Sequence, residues 1–216
     1  MPTRPIPRLI LLICGLSVLA FGVALSIRSG LGTSPISSVP YAFSYILPLS
    51  VGILTVILHI LMIVLQMFIL GKNFKWLQWL QLPVGMIFGF FIDSMMWLTQ
   101  TWSADHYFFQ LLFCIASCII TAVGVCMIIR AGLVPLAAEG LFLAISTRFQ
   151  LEFGTCKTTG DIMLVLIAVI SSYLCLHEII GVREGTIITA LLVGTLVRKF
   201  MPYLNRIEFT QPKVPS

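Results

Sequence analysis

Charge is scarce in this 216-residue chain, where Asp, Glu, Lys and Arg together make up 10%, against about 25% in an ordinary soluble domain. Too few ionic groups are present to solvate the surface of a water-soluble globule of this size. Acids are the scarcer, 8 against 13 Lys and Arg, for a net charge of +5. The basic residues lie between or beyond apolar runs and not along one face, which excludes a nucleic-acid-binding domain. The 16 Gly and 11 Pro are close to ordinary usage, so low-complexity disorder is excluded too. There is no Ser-His-Asp order, Gly-rich phosphate loop or His-Glu-x-x-His, and enzyme chemistry therefore has no constellation to rest on. The six Cys, at 14, 114, 118, 126, 156 and 175, form no Cys-x-x-Cys or His/Cys ligand set. They read as small apolar packing residues, and neither a metal nor a cofactor is expected.

What remains is apolar: 59% of the chain is hydrophobic, with a mean hydropathy of +1.06. A spanning helix needs about 20 mostly apolar residues. Leu9–Ile27, Val51–Leu70 and Phe108–Ile129 meet this with no charged residue. Leu82–Thr99 carries one acid, Asp93, and Thr158–Leu176 carries Asp161 in its first turn, where the helix dipole favours a carboxylate. Gly185–Val197 is a short sixth span whose Arg198 and Lys199 reach the headgroups. The first run, behind Arg4 and Arg8, is longer than a signal-peptide core and is followed by five more apolar segments, so it is expected to stay as an anchor. Cys14 lacks the small residues before it that lipid attachment needs.

With the N-terminus inside, eleven of the 13 Lys and Arg fall on the cytoplasmic side, leaving only Arg28 and Arg183 outside. That bias predicts cytoplasmic termini. The uncharged stretch 33–50 opens with Ser34-Pro35, a cap and a helix-starting proline. A full span there would carry Lys72 and Lys75 outside, so a re-entrant half-helix over Pro35–Ile46 is expected, with Pro40 and Pro48 marking a broken element.

The chain also repeats itself. Phe21–Leu31 and Val123–Leu133 share six identities in eleven positions at an offset of 102, ending in Arg28-Ser29-Gly30-Leu31 and Arg130-Ala131-Gly132-Leu133. A proline-started segment follows each, from Pro35 and Pro135, and then a long and a shorter apolar helix. The shorter helices carry small-x-x-x-small pairs, Gly85 with Gly89 and Ala190 with Gly194, expected to pack closely. Three spans separate the equivalents, so the second copy enters the membrane from the other side. The expected fold is all-α: six transmembrane helices as two inverted three-span repeats, 9–105 and 106–203, each with a broken half-helix. A cytoplasmic N-terminus (1–8) and tail (204–216) flank them.

Gly30-Leu31-Gly32-Thr33-Ser34-Pro35 and the stretch from Gly185-Thr186 to Gly194 resemble the bacterial YczE/YyaS/YitT-like integral membrane proteins over residues 9–200. The resemblance implies a bacterial cytoplasmic-membrane protein of a family without an established activity. That family's aromatic-acid pair after the proline is replaced here by Ile36-Ser37, and Glu139-Gly140 is the nearest acidic match in the second copy.

Thr55, His59, Met62 and Gln66 fall on one face of the second span, with His59 near mid-membrane, where it could relay protons or simply satisfy an interhelical bond. Arg28 and Arg130 occupy equivalent helix C-termini, where the dipole alone favours a cation. Alternatively they bind an anion together with backbone amides near Thr33-Ser34 and Val134. Glu139 could meet a cationic solute, a proton or Arg130, and Asp93 is a second candidate for a coupling role. His177-Glu178 and Arg183-Glu184 read as solvated loop. The expected partners are the lipid bilayer and a small polar or anionic solute moved by alternating access. The rival is a non-transporting accessory or scaffold protein.

Overall fold

The computed structural model describes residues 5–204; the outermost residues of the predicted cytoplasmic termini, 1–4 and 205–216, lie outside the described residues. Among those described, eight helices and two short 3-10 turns account for all regular structure, with no strand. The helices are α1 (Pro5–Arg28), α2 (Pro35–Ile46), α3 (Val51–Leu70), α4 (Gln81–Leu98), α5 (Tyr107–Ala131), α6 (Ala137–Phe149), α7 (Phe153–Leu176) and α8 (Glu184–Leu204). Six of them, all but α2 and α6, are long and apolar enough to cross a membrane. With so little charge, this is a multi-pass membrane protein.

Local chemistry sets the ends. Ser50 caps α3, its Oγ accepting from the Ile53 amide at 3.2 Å, and Gly132 closes α5 in the left-handed region at φ 60°. α2 occupies the expected residues, Pro35–Ile46, but Pro40 lies buried inside it without interrupting it. Ser34 stands at the cap position, yet its Oγ bonds Ser37 Oγ at 3.1 Å and no backbone amide. α6 begins at Ala137, two residues beyond Pro135. α7 starts five residues before the expected Thr158, and Asp161 is therefore well inside the helix and not in its first turn. The sixth span is not short: α8 runs 21 residues, to Leu204. Hydropathy marks where lipid begins, whereas Arg198 and Lys199 are good helix formers and carry the helix beyond the apolar run.

The helices recur in order. Their starts are spaced by 102 residues, Pro5 and Tyr107, Pro35 and Ala137, Val51 and Phe153, and by 103 for Gln81 and Glu184. α1 and α5 form the most extensive contact, and they cross antiparallel. A Cβ on Gly22 would strike Thr121, and one on Gly124 would lie 2.7 Å from the Leu19 amide nitrogen, while Gly15 meets Met127 and Ile128. Both close approaches admit only glycine, and each is the other displaced by 102 residues. Around this pair α4 packs on α1 and α8 on α5, α2 on α7 and α6 on α3. One apolar cluster unites α1, α4 and α5 through Leu16, Val23, Phe88, Ile92 and Ile128. A second gathers both half-helices against α3 and α7 through Val39, Ala42, Ile63, Ala138, Phe142 and Ala168.

The two small-residue pairs part company here. Gly85 and Gly89 seat α4 on α3: a Cβ on Gly85 would sit 2.9 Å from His59 Nδ1, and one on Gly89 would sit 2.7 Å from the Gly52 carbonyl. Gly194 has nothing within 4 Å, and Ala190 is exposed. The expected close packing through Ala190 and Gly194 is absent because α8 turns its other side to α5, with Thr189 Oγ1 3.7 Å from Cys118 Sγ.

Candidate functional site

Polar side chains collect in three places. At one end of the bundle an open cleft of about 500 Å³ lies between the ends of α1 and α4, the start of α3 and the second half of α2, lined by Arg28, Ser44, Ser50, Asp93, Trp97 and Gln100. Arg28 Nη2 donates to the Met96 carbonyl at 2.8 Å, and Nε donates to Thr99 Oγ1 at 3.3 Å. The last carbonyls of a helix lack intrahelical donors and carry partial negative charge, so the cation settles on α4 and not on its own helix. Asp93 does the converse at the start of α3. Its Oδ1 accepts from the Gly52 amide at 2.8 Å, and its Oδ2 accepts from Ser50 Oγ at 2.6 Å. A guanidinium has five donors and each carboxylate oxygen two lone pairs, so both groups keep capacity towards the cleft. Arg28 and Asp93 were singled out for separate reasons; the fold puts them in one cavity.

The stripe on α3 forms the second place. Thr55, His59, Met62 and Gln66 are all buried, as their spacing requires. Thr55 Oγ1 bonds back to the Val51 carbonyl at 2.8 Å. The His59 ring lies parallel to Phe88 at 6.0 Å, its Nδ1 buried without a hydrogen-bond partner. Gln66 is a clasp: its Nε2 donates to Gln81 Oε1 at 3.0 Å and to the Ala137 carbonyl at 2.9 Å, and Gln81 Nε2 returns a bond to Gln66 Oε1 at 3.2 Å. Gly140 makes room for the paired amides. The clasp ties the start of α6 to the α3–α4 hairpin.

The start of α2 is tied to the α7–α8 hairpin in the same manner. The Thr33 amide donates to the Gly181 carbonyl at 2.9 Å and the Gly185 amide to the Leu31 carbonyl at 2.8 Å, while Arg183 Nη1 donates to the Gly30 carbonyl at 3.0 Å. Thr33 therefore lines a smaller cavity of about 180 Å³ with Tyr41, Ile180 and Arg183, apart from Arg28. Arg28 and Thr33 do not share a cavity, and the Thr33 amide is already engaged by the Gly181 carbonyl, so the expected anion site joining the two is not formed. Arg130 mirrors Arg28, its Nε donating to the Leu204 carbonyl at the end of α8 at 3.2 Å.

The third place lies between α6 and α7. Lys157 Nζ bonds Asp161 Oδ2 at 3.1 Å and stands 5.7 Å from the Phe142 ring centroid, and Gly160 admits that ring. Glu139, in the first turn of α6, stands one turn before Phe142, whose ring meets both Lys157 and Gly160, so it lies on the side of α6 turned towards this pair. Its Oε2, like Asp161 Oδ1, is buried without a hydrogen-bond partner. Sequence reasoning chose Glu139 but passed over Lys157 and Asp161, whose spacing of four residues inside a helix was the available signal. It missed Gln81 as well, for which a lone Gln opening a span was the only hint.

Among the described residues, eight helices, six of them long and apolar enough to cross a membrane, define an integral membrane protein. Residues 6–202 match a family of unknown function, DUF6198, and the chain belongs to that family. No curated protein and no solved structure matches it.

Proposed function

We propose that the protein is a carrier, not an enzyme, in which two inverted halves move a small polar or anionic solute across the bacterial cytoplasmic membrane by alternating access, with both termini in the cytoplasm. The kinship with YczE/YyaS/YitT-like proteins forms part of the same reading. The observation that carries it is the exchange of half-helices: α2 is anchored on the α7–α8 hairpin and α6 on the α3–α4 hairpin. The antiparallel contact of α1 with α5, where Gly22 and Gly124 play the same part, supports an axis between the halves. Rocking one half against the other about such an axis exposes a central site to each side in turn. The cleft at Arg28 is then the open face, with Arg28 for an anionic group and Ser44, Asp93 and Gln100 for polar ones.

The test is transport by purified protein in liposomes, offered a panel of small carboxylates, phosphates and zwitterions under pH and ion gradients. Uptake of at least one, slowed by Ser44→Ala and Gln100→Ala, is the expected result; a protein that moves none under any gradient is not a carrier. One observation favours an accessory or scaffold protein instead. The half-helices meet in an apolar cluster, and neither cavity reaches His59 or α6. Co-purification with a membrane partner at fixed stoichiometry would select that reading.

A further inference from the structure

We infer that Glu139, Asp161 and Lys157 form a site between α6 and α7 that binds a single proton. The argument begins with counting charge. Two carboxylates face one ammonium, so the fully ionised cluster carries one uncompensated negative charge. Glu139 Oε2 and Asp161 Oδ1 are both sealed from solvent with no donor to answer them. A buried ionic oxygen without a partner is costly, and one proton removes both the excess charge and one unpartnered acceptor by turning it into a donor.

Among the described residues, no other charged group nearby does this work. Helices α3, α4 and α7 pack on α6, and α2 packs on α7, where it contributes no charged residue and its phenols, Tyr41 and Tyr45, bond one another. α3 contributes no charged residue, and its His59 lies against Gly85 and Phe88. α4 contributes only Asp93, engaged with Ser50 and Gly52 at the Arg28 cleft. On α7 the remaining titratable neighbour is the buried thiol of Cys156, while Glu152 before it and Arg148 on α6 are exposed.

A metal cation fits poorly. Lys157 Nζ already occupies the cationic position, 3.1 Å from Asp161 Oδ2, and the two free oxygens fall short of the six or so that a hard divalent cation takes. Lys157 also offers the proton a way in, since its side chain is 41% accessible against 20% for Asp161. Use of this proton to drive a solute rests on the carrier reading above; the proton site itself does not.

Infrared difference spectroscopy of the purified protein tests the site without reference to transport. At neutral pH the protein is expected to show the C=O stretch of a protonated carboxylic acid, lost on raising the pH. Glu139→Gln and Asp161→Asn each leave a neutral ion pair, so either abolishes the band. Lys157→Met leaves two carboxylates and no ammonium, and the band grows about twofold. A wild-type protein with no such band, a band that survives both acid substitutions, or one displaced by sodium at constant pH overturns the assignment. The wild-type measurement decides even where a variant fails to fold.

Discussion

Glycines give the sharpest separation between positions that hold the bundle together and positions that do not. Gly124→Ala places a methyl 2.7 Å from the Leu19 backbone nitrogen, where only backbone can give way. The overpacking cost is about 1–3 kcal/mol, read as a lower melting temperature in detergent. Gly194→Ala meets nothing within 4 Å and is expected to hold or raise the melting temperature, because Ala favours a helix over Gly by up to about 1 kcal/mol. Equal losses at both positions would mean that α8 is covered by something beyond this chain. Single residues were legible where their constraint is local. Thr55, His59 and Gln66 were readable as one face from spacing alone, and Arg28 as a cation at a helix end. Their partners were not, since Met96, Gln81 and Ala137 come from distant parts of the chain and no periodicity marks them.

Helices were the most legible elements, because lipid demands an unbroken apolar run of nearly fixed length. α3 occupies the expected residues, and α2 matches the half-helix marked by Ser34-Pro35. The misplaced boundaries of α7 and α8 share one cause: each helix continues past its apolar run through charged residues, Lys157 and Asp161 in one and Arg198 and Lys199 in the other, which leave the hydrocarbon without leaving the helix. Asp161 was misread as a terminal carboxylate for this reason. Where helices join, Asp93 is the informative group, since a residue of α4 satisfies the first turn of α3. Asp93→Ala leaves the Gly52 amide and Ser50 hydroxyl without this acceptor, a loss of about 1–3 kcal/mol. Asp93→Asn keeps an acceptor for the Gly52 amide and is expected to retain more of the thermal stability. If Asn and Ala melt alike, the capping role of Asp93 is wrong.

The arrangement of the halves ties these levels together, and sidedness tests it directly. Arg28, Thr99 and Ser50 meet at one end of the bundle, as do Gly30 and Arg183, which requires the α1–α2, α4–α5 and α7–α8 connections to share a face. Gln66, Gln81 and Ala137 meet towards the opposite end. The 102-residue similarity is visible in the sequence through its glycines and arginines, whereas the anchoring of α2 on α7–α8 and of α6 on α3–α4 is not, since it depends on contacts between segments 71 to 148 residues apart. In a chain cleared of its native Cys, single cysteines at Lys72 and Lys199 should be labelled by a membrane-impermeant thiol reagent only after the cytoplasmic face is opened. Cysteines at Gln100 and Glu178 should react in intact cells, because the excess of Lys and Arg holds the other loops inside. With the N-terminus inside, labelling of position 72 in intact cells would make α2 a full crossing and start α5 on the same side as α1. The 102-residue spacing would then describe a parallel duplication, with no axis for the halves to rock about.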